Sequence, residues 1–435
     1  MKHSIIKILV VIVLSSTVMI QTGCKKDFND PNRSTQDQVL NSPKGLTGVV
    51  VGLQRVYTLG RGSNLYNLVT INGLATNELF VVNAGNTAEL QMQTGGTAVD
   101  GNHTMLTTFW TNCNKVIYDA DLVLANAPNL ADKNYASGLI AYASIFKALC
   151  IGDMSQFWPK VPDAIGLNVN FIDRIDGFKK AVTIIDAALA VIAADPISAS
   201  FISSVPAGID IVNTLYALKA RYSLFAGLYP QALTAANLVN LSVKSTFNYD
   251  ALSLNPIFET ATSTNNVVQV LDSTLGLPLP LKPAFADKRI PFYTVINPTI
   301  LPRFRINGFG NAAATAFPVY LPGEIILIKA ESYLRAGVPD LVNGLIQLNN
   351  VITKTPAGDL FGVGADLPAA VGVFTAPQLL DSVYKHRSIE LYMSGLKLED
   401  MRRFGRPNSE KKRNLMPYPL RERDNNPNTP PDPPF

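Results

Sequence analysis

Residues 320–354, YLPGEIILIKAESYLRAGVPDLVNGLIQLNNVITK, read as two helices folded back on each other. In the first, Ile326, Ala330, Tyr333 and Leu334 recur at helical spacing, with Glu324, Glu331 and Arg335 on the opposite strip. Gly337 is expected to end it, since glycine accepts the left-handed conformation of many helix caps. Pro339 and Asp340 open the second helix, where Leu341, Leu345, Leu348 and Ile352 share one face. A helix, short turn and helix of about 34 residues is the size of one tetratricopeptide-type unit. One unit cannot bury its apolar face alone, so stacked neighbours are implied.

Working outward, the same cues recur. Residues 104–127 and 136–155 form one helical pair, and 173–193 with 210–227 another. In AGLYPQA, 226–232, the spacing of Gly227, Tyr229 and Ala232 fits a tetratricopeptide turn. Ser42-Pro43 suits an N-cap followed by proline at the first helical position. The expected fold is all-α: a superhelix of tetratricopeptide-like helical pairs with long irregular loops and a few short strands. Residues 79–102 read as a long loop, and 247–317 as an irregular insertion that is a candidate binding surface. The proline-rich end, 425–435, reads as an extended, weakly ordered tail.

Apolar residues make up 47% of the 435 and charged residues 16%, which builds a large core and argues against disorder. Net charge is only +4, and Lys2 and Lys7 fall in a leader, so nothing suggests a nucleic-acid surface, which would need a basic face rather than a small surplus. In that leader, a positive start precedes a largely apolar run of 13 residues, 8–20, too short to span a membrane and apt for a secretory signal. Gln21-Thr22-Gly23-Cys24 resembles a lipobox, making 1–23 a signal peptide and Cys24 the lipidation site; the alternative is an ordinary signal peptide beside a chance cysteine. Acyl chains contribute ~0.8 kcal/mol per buried methylene, enough to anchor a multiply acylated chain. Residues 24–41 would be the tether and 42–435 a single domain. Cys113 and Cys150 are either buried thiols, the favoured reading, or a disulfide permitted in an exported protein.

Several segments, in order, resemble the SusD/RagB family of outer-membrane lipoproteins of Bacteroidetes. SPKGLTGVVVGLQRVYT (42–58) is similar to the family's first helix and ATNELF (75–80) to the acidic motif after it. FWTNCNKVIYDADLVLANAP and ASIFKALCIGDMSQFWPKVP resemble the next two helical segments, although Pro159-Lys160 stand where the family has Gly-Asp. GEIILIKAESYL and HRSIELYMSGLKLEDMRRFG are the most specific matches, and LMPYPLRERDNNPN closes the series within the motif region 377–428. The resemblance implies a lipid-anchored, outward-facing outer-membrane protein. It would capture an oligosaccharide or peptide and hand it to a SusC-like TonB-dependent transporter, with no catalytic step and no cofactor. A surface glycan hydrolase and a purely structural transporter subunit are the alternatives.

The chemistry-bearing residues are weighed with that in view. Arg387 and Glu390, three apart on one helix, can pair, and Asp400 and Arg403 add to an ion network locking the last helices. Glu390 and Asp400 as a glycosidase pair is the competing idea, disfavoured because accompanying arginines keep carboxylates ionised. The basic run 402–413 reads as a solvated surface with counter-charges. Catalytic and metal-binding motifs such as HExxH and GxSxG are absent. Sugar binding needs aromatic faces and amide, carboxylate or guanidinium groups. The candidates are Phe80, Asn83, His103, Trp158, Tyr293, Arg303 and Phe304, with Trp158 read as exposed after a helix end.

Overall fold

The computed structural model describes residues 35–262, 266–299, 301 and 303–435. The leader, Cys24 and the first part of the tether lie outside the described residues. Gln36–Leu40 is a short helix, and residues 40–435 form one unit.

The helices that carry this unit are α1 (Pro43–Thr58), α2 (Asn64–Ala75), α3 (Thr104–Asn126), α4 (Lys133–Phe157), α5 (Arg174–Ala194) and α6 (Ile211–Phe225). They continue with α7 (Tyr229–Leu238), α8 (Pro322–Leu334), α9 (Leu341–Ile352), α10 (Ala376–Glu390) and α11 (Lys397–Arg403). From α3 to α9 each helix packs on the next, and α10 covers both α8 and α9. The fold is thus mostly helical and tetratricopeptide-like, because each amphipathic stripe finds cover only on its neighbour.

Local chemistry sets the boundaries. Ser42 Oγ accepts from Gly45 N at 3.1 Å to start α1, and Asp340 Oδ1 accepts from Asn343 N at 3.0 Å to start α9. Gly227, at φ +75°, turns α6 into α7, and Ala232 is fully buried there. Gly337 is a correction: α8 already ends at Leu334, with the Arg335 N–H on the Glu331 carbonyl, and Gly337 is not left-handed.

A second correction concerns α8 itself, whose acidic strip faces no solvent. Glu324 and Glu331 are as buried as Ile325, Leu327 and Ile328, because cations from other helices meet them. Helix α4 is apolar and long enough to cross a membrane, but it is buried as a core helix. Close approach there relies on missing side chains. A Cβ on Gly152 would overlap the Tyr222 ring of α6, and one on Gly138 would overlap Phe201.

The strands are β1 (Leu79–Val81), β2 (Lys160–Pro162), β3 (Phe171–Asp173), β4 (Thr246–Phe247), β5 (Val268–Val270), β6 (Thr294–Ile296), β7 (Phe304–Ile306) and β8 (Phe317–Pro318). They pair antiparallel as β1–β5, β2–β3, β4–β8 and β6–β7. The β4–β8 pair zips the neck of the insertion. Through β1–β5 the insertion grips residues 79–102, which are not the expected long loop but β1 followed by the helix Thr87–Thr94. The proline-rich end is extended yet fastened: Asp432 Oδ1 accepts from Tyr418 N at 2.9 Å, and Asn428 Nδ2 donates to the Asn168 carbonyl at 2.8 Å.

Glycine substitutions test this packing. Gly48, at an exposed position of α1, has open space at its Cβ, so Gly48→Ala should stabilise by about 0.5–1 kcal/mol. Gly152→Val should destabilise by about 1–3 kcal/mol through overpacking. Urea unfolding followed by circular dichroism reads both.

Candidate functional site

A lattice of buried charges underlies the insertion. Arg289 is fully buried; it donates to Asp287 Oδ2 at 2.7 Å, to Glu390 Oε2 at 3.1 Å and to His386 Nδ1 at 2.9 Å. Burial first, and then the Arg289 and Lys385 charges, hold His386 well below its usual range, so its ring is neutral and accepts. The Tyr293 hydroxyl donates to the Glu390 carbonyl. Lys354 bridges the second Glu390 oxygen and Asp359. Gly323 of α8 makes room for that carboxylate, since a Cβ there would overlap it.

A second node joins α10, α11 and α8. Arg387 donates to both Asp400 oxygens at 3.0 and 3.2 Å, while Arg403 spans Asp400 and Glu331. Burial pushes the Asp400 carboxyl up, but Arg387 and Arg403 outweigh it and hold it below the usual range. Arg221 of α6 adds a bidentate pair to Glu324 at 2.6 and 2.7 Å. Two expectations are corrected here. Arg387 and Glu390 do not pair with each other, because Asp400 and Arg289 take them separately. Nor is the basic run simply a solvated surface: Arg402 and Arg403 side chains are only 10% exposed, and Arg402 also donates to the carbonyls of Gln156 and Asn414 at 2.6 Å each. Glu390 and Asp400 are buried and saturated by cations, so neither can meet a glycoside as acid or nucleophile in this arrangement.

These anchors aim the residues beside them at solvent. The short helix Arg289–Tyr293 and the β6–β7 hairpin form a ridge with a hollow on each side. Pro291 and Asn307 line both hollows. The first is an open groove of about 760 Å³ lined by Lys244, Phe292, Phe309, Asn311, Thr315 and Phe361 among others. Its half-buried rings meet edge to face: Phe292 and Phe309 lie 5.3 Å apart, Phe309 and Phe361 5.9 Å. Lys244 Nζ lies 5.3 Å from the Phe361 centroid. Among the described residues, Lys244 Nζ, Asn311 Nδ2 and Asn307 Oδ1 carry no hydrogen bond within the chain and are free for a ligand. Aromatic floor plus unspent amides is the chemistry that grips sugar C–H faces and hydroxyls. The second hollow, about 630 Å³, is lined mainly by Phe285, Ile290, Val295, Ile296 and Phe304.

The residues expected from sequence scatter around this surface. Phe304 lines the apolar hollow, and Arg303 is exposed beside it. Tyr293 is buried beneath the ridge as an anchor. Phe80, half-buried in β1, sits opposite Gln269; Asn83 is exposed and closes its own turn onto Gly85 N. Neither lines the groove. His103 is buried, with Nε2 2.9 Å from the Ala88 carbonyl, and burial lowers its pKa. Trp158 is not exposed: it is sealed against Trp110, with Nε1 donating to the Pro417 carbonyl at 2.9 Å. Cys113 and Cys150 are both buried and unbridged, sharing the Asn64 amide. Phe292, Phe309, Phe361, Lys244 and Asn311 were missed. The one local signal was Gly308-Phe309-Gly310, an aromatic held between two glycines.

With this geometry in place, likeness to solved structures is informative. No family model and no curated protein matches the sequence. The fold matches a SusD superfamily protein from Parabacteroides distasonis at 15% identity and TM-score 0.69, covering 91% of this chain and 98% of that one. It matches one from Bacteroides thetaiotaomicron at 14% identity and TM-score 0.66, covering 90% and 100%. It also matches a SusD-like carbohydrate binding protein from Bacteroides vulgatus at 14% identity and TM-score 0.64, covering 83% of each. The chain therefore has the SusD-type fold, as the order of its motifs indicated.

Two consequences of the buried charges are measurable. Glu390→Ala leaves Arg289 with Asp287 and Lys354 with Asp359 but removes the carboxylate that the two buried cations share, and should cost up to about 3–5 kcal/mol of stability in chemical unfolding. Asp153 of α4, hydrogen-bonded by Tyr57 at 2.7 Å, is pushed by burial up to about 7. The folded chain keeps that proton where an unfolded aspartate has lost it, so this group's contribution falls as pH rises from about 4 to about 7. Asp153→Asn should therefore gain on the wild type by roughly 1 kcal/mol per pH unit across that window and run parallel to it above, read from urea midpoints.

Proposed function

We propose that this chain is a SusD-type binding lipoprotein, anchored through Cys24 to the outer face of the outer membrane. It captures an oligosaccharide and passes it to a SusC-like TonB-dependent barrel without chemical conversion. The observation that carries this reading is the groove between Phe292, Phe309 and Phe361, with Lys244, Asn307 and Asn311 presenting unspent polar groups. Support also comes from the carbohydrate binding of similarly folded proteins such as the one from Bacteroides vulgatus, and from the lipobox-like residues 21–24. A short oligosaccharide suits a groove of this volume, which falls within the range of small-ligand sites of about 300–1,000 Å³.

The test is calorimetry on the chain lacking residues 1–24 against oligosaccharides and peptides. A saturable single-site isotherm with a glycan, no released product, and at least tenfold weakening by Phe361→Ala or Asn311→Ala is the expected result; tenfold is about 1.4 kcal/mol. Binding untouched by both variants would remove the groove from the account.

A further inference from the structure

The second hollow is lined mostly by carbon and adjoins the groove. We infer that the ligand is a glycoconjugate, a sugar bearing an alkyl, acyl or aryl group, with the sugar in the aromatic–amide groove and the apolar group in the hollow beside it. This rests on the capture reading above.

Three observations carry it. First, the hollow is apolar and open: Phe285 is fully exposed, and Val295 and Ile296 are 50% and 55% exposed. Leu271, Leu279 and Leu301 are exposed in the same insertion. Those three leucines lie outside the hollow's lining, but Phe285, Val295 and Ile296 expose apolar surface within one concavity, which marks a binding surface rather than scattered residues. Second, the hollow is concave and, at about 630 Å³, of small-ligand size. Third, it is contiguous with the groove. Pro291 and Asn307 line both, so one ligand a few ångströms past the ridge touches the two at once. The chemistry changes at that ridge. Asn307 spends its Nδ2 on the Pro291 carbonyl at 3.3 Å and keeps its Oδ1 at the junction, where a ring hydroxyl next to the glycosidic bond would donate to it. On one side lie amides and Lys244; on the other aliphatic and aromatic carbon predominates, with Ser273, Thr274, Lys282 and Thr294 also in the lining.

The experiment compares methyl and n-octyl β-glycosides of glucose, galactose and N-acetylglucosamine, the octyl forms below their micelle concentration, by calorimetry on residues 25–435. For at least one sugar, the octyl form should bind one-to-one and at least tenfold tighter than the methyl form. Ile296→Asp, a change at a half-exposed position that the core does not use, should erase that gain and leave methyl glycoside binding as it was. Asn311→Ala should weaken both forms. Circular dichroism checks that each variant folds. Equal affinity for methyl and octyl forms overturns the inference while the capture reading stands. Octyl binding that ignores both the sugar and Asn311→Ala overturns the inference and the capture reading together, leaving an apolar site alone. Binding of neither form overturns it as well.

Discussion

The carboxylate of Glu390 is the point on which the rest of this structure turns. Removing such a charge from water is expensive, and only close, well-directed partners offset the loss. Arg289 and Lys354 supply them, and Gly323 clears the space. The pairing does more than neutralise a charge. Arg289 and Tyr293 belong to the insertion, so the contacts that neutralise the end of α10 also moor the ridge between the two hollows. Phe292, between those anchors, lines the groove and packs edge to face on Tyr293 and Phe309. The core and the groove thus share one set of bonds.

The neighbouring node has a different task. Arg387, Asp400, Arg403 and Glu331 link three helices in which each carboxylate meets two cations. Replacing such a network by apolar side chains is often neutral for stability in proteins, so its value here lies in specifying one register of α8, α10 and α11. That division explains why carboxylates of hydrolase-like appearance in the sequence are structural in the fold.

Much of the scaffold was legible because it is local. The repeat of apolar residues through 320–354, the Gly227–Tyr229–Ala232 turn and the Ser42 and Asp340 caps each depend on a few adjacent residues. What escaped was non-local. Glu324 and Glu331 looked like a solvent strip because their cations, Arg221 and Arg403, lie 103 and 72 residues away. Trp158 looked exposed because the Pro417 carbonyl that receives it comes from the chain's far end. The groove was hidden for the same reason. Its rings come from the insertion and, with Phe361, from a Gly/Pro-rich link beyond it, with no shared period. Of the expected residues, Phe304 lines a hollow, Arg303 is exposed next to it in the chain, and Tyr293 fastens the ridge from below.

At 14–15% identity to the similar solved structures, little but packing is shared, and the loops set what each surface can hold. The most direct test is therefore a crystal structure of the soluble chain with a bound glycan. The account predicts ligand density against Phe292, Phe309 and Phe361, within hydrogen-bond reach of Asn311. Density seated elsewhere, as on the Phe80–Asn83 turn or on the helical stack, with the groove empty, would contradict it.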